Sequence, residues 1–199
     1  MAYRVLADEL METLGAWDEL IPGREKIRLI ACGGTALTLL GYKESTKDVD
    51  FLLPDESEYG RLAGFLEEAG YDPVTQYGWK RPEENIIFDL YPGKKIYSTE
   101  LLTSPLEKGG NRRLRAWRKI YLGVLNPLDL VISKMFRGTE ADIEDSLALV
   151  EREKVDLKKL EGRYRETAKY DSGEGKALKN FDTLLSRLKK GAKGRDENS

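Results

Sequence analysis

Two short runs carry the residue types that phosphate chemistry needs: Gly33-Gly34-Thr35 and Asp48-Val49-Asp50. Glycines at the end of a strand let the backbone come close to a phosphate, and the amides opening the next helix face it with the favourable end of the helix dipole. Thr35 adds a hydroxyl donor. On a strand, Asp48 and Asp50 leave the same face roughly 6 to 7 Å apart along the chain, within span of one or two metal ions. Val49 then points the other way, into the core. Mg²⁺ and Mn²⁺ take carboxylate oxygens together with substrate phosphates, so the glycine turn and the carboxylate pair imply one site. Asp89 lies inside the apolar run Ile86 to Leu90, where a charge is costly unless it is paired or bound to metal. It is the candidate third carboxylate of a two-metal phosphoryl transfer, acting as base or shared ligand.

Each feature also has a purely structural reading. Gly33-Gly34 alone suits an ordinary strand-to-helix turn. Asp48 could cap the strand entry, Asp50 could pair with Lys47 or an arginine, and Asp89 could sit in a structural salt bridge. It is the combination of the two runs that favours chemistry.

What the chain lacks narrows the choice. With no histidine, Ser-His triads, histidine bases, HExxH zinc sites and Cys/His fingers are excluded, and any metal must be held mainly by carboxylates. The single cysteine, Cys32, forms no internal disulfide and reads as a small buried hydrophobe. No apolar run approaches the ~18 residues of a spanning helix, and the amino terminus lacks the apolar core of a secretory signal. A cytoplasmic protein with no membrane association is expected. Lys and Arg number 33 against 35 Asp and Glu, so the overall charge points to no nucleic-acid partner. Beyond residue 150, however, fourteen basic residues face ten acidic ones, leaving an acidic body and a basic tail.

The elements that must position these residues follow from period and punctuation. Val5, Leu6, Leu10, Leu14 and Trp17 share one helix face between Arg4 and Leu20. Lys26 to Ala31 reads as a buried strand and the run from Thr35 to Gly41 as a short helix. Val49 to Leu53 is a second strand, Ser57 to Ala69 a helix stopped at Gly70, and Ile86 to Leu90 a third strand. Lys119 to Leu125 reads as a further strand or an extended connection. Pro127 opens a helix that Gly138 ends, Thr139 caps the next with Asp142 three residues on, and two more helical patterns follow, 156–170 and 176–190. The expected fold class is α/β (α+β), a small mixed sheet with flanking helices, plus a carboxy-terminal helical bundle. The expected divisions are 1–125 for the α/β domain, 126–190 for the helical region and 191–199 for a disordered tail.

Gly33-Gly34-Thr35, Asp48-x-Asp50 and a strand-borne Asp89 together resemble the nucleotidyltransferase superfamily with the DNA polymerase beta-like fold. The runs Leu125-Asn126-Pro127-Leu128-Asp129-Leu130 to Lys134 and Asp142-Ile143-Glu144-Asp145 resemble the AbiEii-type toxins and their relatives. The resemblance covers roughly residues 26 to 150. It implies that Gly33, Gly34 and Thr35 bind the phosphates of a nucleoside triphosphate and that Asp48 and Asp50 bind Mg²⁺ or Mn²⁺. Asp89 then matches the third carboxylate, Lys134 contacts the triphosphate, and Asp142 or Asp145 lines the site. Thr46, standing where those toxins commonly carry serine, joins the nucleotide-binding set. A toxin setting implies a cognate antitoxin as partner. Lys134 has an alternative as a snorkelling lysine, and Asp142 as a first-turn capping residue.

The segment Asn111 to Lys119 places Arg112, Arg113, Arg115 and Arg118 around Trp117, a composition that suits phosphates and a stacked base and equally suits a solvated sheet edge. The leading expectation is a metal-dependent transfer of a nucleoside monophosphate to a hydroxyl on RNA, protein or a small molecule. Its rivals are a degenerate binding module of the same fold and an RNA-binding scaffold.

Overall fold

The computed structural model describes residues 3–196, with side chains to residue 190. The elements in chain order are β1 (Val5–Leu6), α1 (Ala7–Leu20), β2 (Ile27–Ala31), α2 (Gly33–Leu39), β3 (Ser45–Thr46), β4 (Val49–Leu53), α3 (Glu56–Glu68), β5 (Asp72–Pro73), β6 (Gly78–Lys80) and β7 (Phe88–Pro92). They continue with β8 (Lys95–Ile96), β9 (Thr99–Glu100), β10 (Asn111–Ala116), β11 (Ile120–Leu125), α4 (Pro127–Arg137), α5 (Glu140–Arg152), α6 (Leu157–Ala168) and α7 (Glu174–Asp196). The chain divides into two compact units. One runs up to Tyr97 and takes in Thr103–Asn126; the other is Ser98–Leu102 with the chain from Pro127 on.

The first unit is built on a mixed seven-stranded sheet of order β10-β11-β2-β4-β7-β6-β5. β11 and β2 run parallel, β2 and β4 antiparallel, and β4 and β7 parallel. The central strands are mostly apolar and buried, β4 along its whole length, with Arg28 of β2 and Asp89 of β7 half-buried. On one face the rings of Trp17 from α1, Tyr71 and Phe88 meet edge to face or tilted, with centroids 4.7 to 5.9 Å apart. Because side chains alternate along a strand, Phe88 and Leu90 fill this core while Asp89 and Tyr91 turn to the opposite face. α1 is tied down at its end by Asp18, whose buried carboxylate accepts the amides of Lys119 and Ile120 at 2.5 and 2.7 Å. α3 is capped by Asp55, which accepts from the Ser57 and Glu58 amides. Its Glu58 binds both the backbone and the guanidinium of Arg28 on β2.

Local structure departs from the sequence reading in four places. Val5 and Leu6 pair with Thr46 and Ser45, so α1 begins at Ala7. α2 begins at Gly33, with Cys32 as its extended N-cap, so the two glycines lie inside its first turn. The arginine run is an edge strand, β10, paired to β11 with an irregularity between Arg113 and Arg115. Charged residues on an edge strand oppose further strand addition. Finally, the expected tail 191–199 falls on α7 as far as Asp196, where the backbone is helical. Residues 197–199 lie outside the described residues.

The second unit is helical. Tyr164 stacks on Phe181 at 4.3 Å, meets Phe136 at 5.2 Å, and donates its hydroxyl to the Ala177 carbonyl at 2.8 Å. Asp129 on α4 is clasped by Arg163 on α6 at 2.7 and 2.9 Å. Among the described residues no helix is long and apolar enough to cross a membrane.

Candidate active site

β2 ends at Ala31 beside Phe51 of β4, so the chain that follows β2 passes over the start of β4. Three hydrogen bonds lock that crossing. The Cys32 amide donates to the Asp50 carbonyl at 3.1 Å, the Asp50 amide donates to Thr35 Oγ1 at 2.8 Å, and Thr35 Oγ1 donates to the Asp48 carbonyl at 3.2 Å. Thr35 is fully buried. The expectation that its hydroxyl serves a phosphate is therefore revised: it joins the glycine turn to the aspartate strand. Thr46 does a similar task, donating Oγ1 to the Asp48 carbonyl at 2.9 Å from a buried position.

The glycines are required by these contacts. Gly33 has φ +55°, in the left-handed region, and a Cβ there would stand 3.0 Å from Asp50 Cγ and closer still to Oδ2. A Cβ on Gly34 would stand 2.6 Å from Thr46 Oγ1. α2 has seven residues, too short for a sizeable macrodipole. The glycines thus matter for close backbone approach to Asp50 more than for the helix behind them.

Asp50 and Asp89 are register partners on parallel strands, so their side chains share a face. Asp50 is buried, Asp89 half-buried and Asp48 exposed in the bend before β4. Burial first, then the charge of Asp48, push the Asp89 carboxyl up to about 6. Neither Asp48 nor Asp89 has a hydrogen-bonded or ion-paired side-chain partner among the described residues. The structural reading of Asp89 as a salt-bridged residue is therefore not met. The two strand-borne carboxylates also lean apart. Asp50 Oδ2 turns toward Gly33, past β2, whereas Asp89 Oδ1 stands 3.0 Å from where a Cβ on Gly78 of β6 would be. Among the described residues no group of three carboxylates or cysteines could hold a metal ion together. The expected three-carboxylate set of Asp48, Asp50 and Asp89 is corrected accordingly. What remains is carboxylate oxygens at Asp48 and Asp89 with no ion-paired partner among the described residues, a donor type that suits a hard divalent cation.

Tyr91, which the sequence reading passed over, belongs here as well. Its hydroxyl donates to Asp50 Oδ1 at 3.5 Å. Burial first, then the negative charge of Asp50, drive its phenol far above the ordinary range. The signal was available, since Asp89-x-Tyr91 on a strand puts both on one face.

Lys134, Asp142 and Asp145 are brought together in the second unit, with one another. Lys134 Nζ donates to Asp145 Oδ2 at 2.8 Å and lies 3.9 Å from Asp142 Oδ1, all three being buried. Asp142 also accepts from Arg137 at 2.6 and 2.7 Å and completes a reciprocal capping box with Thr139. Burial raises the Asp142 carboxyl, but hydrogen bonds from Arg137 and Thr139 and the charges of Arg137 and Lys134 outweigh it and hold it below its ordinary value. The expectation that this lysine reaches a triphosphate is replaced by a closed ion cluster. Arg112, Arg113, Arg115 and Arg118 are exposed on or just after β10. Arg115 lies over the Trp117 ring, 4.7 Å from its centroid, on a face the sequence reading gave to a stacked base.

The chain has a nucleotidyltransferase-like fold. Its structure is similar to the crystal structure of ANT(2")-Ia in complex with adenylyl-2"-tobramycin, with a TM-score of 0.53 and 16% sequence identity, over 81% of this chain and 95% of that one. Residues 111–193 match a family model described as a nucleotidyltransferase of unknown function (DUF6036). That span runs from β10 into α7 and leaves out Gly33, Gly34, Asp48, Asp50 and Asp89. No curated protein is similar enough to this sequence to match it.

Proposed function

We propose that this protein transfers a nucleoside monophosphate from a nucleoside triphosphate to a hydroxyl acceptor, at the face formed by Gly33, Gly34, Asp48, Asp50 and Asp89. The observation that carries the reading is the register pairing of Asp50 with Asp89 across β4 and β7, against the glycine turn, with no cation ion-paired to Asp48 or Asp89 among the described residues. Asp48 and Asp50 would hold Mg²⁺ or Mn²⁺, which when bound supplies positive charge to the phosphates and the leaving pyrophosphate. Gly33 and Gly34 let the turn lie close against Asp50 and Thr46, which would bring the backbone opening α2 beside the carboxylate that holds the ion. Asp89, with its carboxyl near 6, is suited to accept the acceptor's hydroxyl proton at neutral pH. The new bond joins that oxygen to the α-phosphorus, the bond to the β-phosphate oxygen breaks, and pyrophosphate leaves. In this reading Lys134, Asp142 and Asp145 are left out of the mechanism, since they are bound to one another and to Arg137.

The structure of ANT(2")-Ia, which holds adenylyl-2"-tobramycin, supports nucleotide transfer on this fold and keeps a small molecule among the candidate acceptors beside RNA and protein. The exposed arginines of β10 favour RNA as the alternative and give it a docking edge. A toxin role with an antitoxin partner rests on the sequence runs around Lys134 and Asp142 alone. The test is label transfer from each α-labelled nucleoside triphosphate, with Mg²⁺ or Mn²⁺, to total RNA, total protein and an aminoglycoside. Transfer by the wild type and none by an Asp48→Asn, Asp50→Asn double variant is the expected result. Equal nucleotide binding by both proteins with no transfer to any acceptor would instead favour a binding module without turnover.

A further inference from the structure

The Asp50 carboxylate is bounded on both oxygens. Oδ2 faces the bare Cα of Gly33, and Oδ1 accepts the Tyr91 hydroxyl. Tyr91 is fully buried, and its ring is packed on two sides, by Tyr77 with centroids 4.9 Å apart and by Tyr97 at 5.1 Å. A ring held between two others has little freedom to turn, so its hydroxyl has a fixed place. The ring packing accounts for an aromatic residue at position 91 and for nothing more; a phenylalanine would fill it equally. The hydroxyl needs its own explanation, because a buried hydroxyl is costly unless it is bonded. Its partner is the carboxylate assigned above to a cation.

We propose that Tyr91 is a positioning residue for divalent-cation binding: its hydroxyl fixes the rotation of the Asp50 carboxylate, with Gly33 as the opposing wall, so that Asp50 meets the ion already oriented. The inference rests on the proposed function, in that Asp50 is taken to hold the ion. Partners that orient a ligating carboxylate typically change metal affinity 10- to 100-fold when removed.

The test uses the full chain and Mn²⁺ alone, its binding followed by electron paramagnetic resonance, so that no acceptor or turnover is needed. Tyr91→Phe keeps the ring and removes the hydroxyl. It should weaken Mn²⁺ binding about tenfold, and should add nothing in an Asp50→Asn background, since it acts through Asp50. Tyr77→Phe should bind Mn²⁺ as the wild type does. A melting curve of each variant separates a general loss of packing from a loss at the site, and the Asp50→Asn cycle remains informative if Tyr91→Phe melts lower. The proposal is overturned if Tyr91→Phe binds Mn²⁺ like the wild type, or if it loses the same factor in the Asp50→Asn background. If Asp50→Asn itself leaves Mn²⁺ binding unchanged, the cation reading of the site falls and this inference falls with it. That outcome is distinct from an Asp50→Asn loss that Tyr91→Phe does not share.

Discussion

Gly33→Ala is the sharpest test of how the glycine turn serves the aspartate strand. Two effects add at this position. The backbone sits at φ +55°, where a residue with a Cβ is strained by about 1–2 kcal/mol. The new methyl would also collide with Asp50, its Cβ 3.0 Å from Cγ, and pushing that side chain off its rotamer costs about 0.5–1.5 kcal/mol more. The sum is about 1.5–3.5 kcal/mol, equivalent to a fall in Tm of about 3–14 °C for a chain of this size. Gly41→Ala supplies the control. Its φ is +72° with nothing within 4 Å of the added Cβ, so it carries the backbone strain alone. Urea unfolding of the two variants should therefore place Gly33→Ala about 1 kcal/mol below Gly41→Ala. Mn²⁺ binding should weaken only in Gly33→Ala, because only there is Asp50 displaced. Equal stability for the two variants, with Mn²⁺ binding unchanged in both, would refute the argument that Gly33 is glycine for the sake of Asp50.

Three further outcomes follow from the geometry. The Asp89 carboxyl, at about 6 against a model-peptide value of 3.8, makes the folded state bind more protons than the unfolded one between about pH 4 and 6, so its contribution favours folding below that window and is lost as pH rises through it. Asp89→Asn should remove that loss and exceed the wild type above pH 6 by about 1 kcal/mol, after discounting for the partial exposure of the group; urea titrations at pH 4.5 and 7.5 check it, and a difference of opposite sign would sink the assignment. Lys134→Met should cost about 3 kcal/mol by leaving Asp145 and Asp142 buried with less positive charge, whereas a loss below about 0.5 kcal/mol would mark a lysine that solvent already satisfies. If RNA docks on β10, replacing Arg112, Arg113 and Arg118 with glutamine should flatten the salt dependence of RNA binding by about 0.7 per arginine, and an unchanged slope would place RNA elsewhere.

Much of the site was legible because two periods intersect in it. Asp50 of the Asp48-x-Asp50 run and the charge inside Ile86 to Leu90 announce carboxylates on strands, whereas Asp48 falls in the bend before β4 and shares no strand face with Asp50; the glycine pair announces a backbone that something must approach. The sequence is silent on what approaches it. The pairing of Asp50 with Asp89 depends on strand order, and β4 and β7 are neighbours only because α3, β5 and β6 intervene in the chain and leave β7 free to pair parallel. Strand β10 was hidden for a different reason: its arginines mask the alternation that identifies a strand, and only its partner β11, an apolar run, is visible alone. Thr35 shows the same limit at the level of one atom. A hydroxyl after two glycines has the composition of a phosphate donor, and its occupation by the Asp50 amide emerges only when β2 and β4 are side by side.

Lys134 with Asp142 and Asp145 makes the converse point. A lysine late in one helix and two aspartates early in the next are what an anion-binding site lined by acids would supply, and also what two antiparallel helices need to bury an ion cluster. Composition cannot separate the two, because both place opposite charges across a short turn. Two local signals do. Thr139 three residues before Asp142 is a capping pair, which claims one carboxylate for the helix start, and Arg137, the last residue of α4, supplies a cation that reaches the same carboxylate from an exposed position. With Asp142 shared by Thr139 and Arg137, Lys134 is left to Asp145, and the cluster closes without a ligand. By the same reasoning, Asp48 and Asp89 stand out: no capping hydroxyl, arginine or lysine is bonded to either carboxylate among the described residues. Under the proposed function, residues with unmet charge, rather than the ones with the most suggestive spacing, mark the face where a cation and its phosphates would sit.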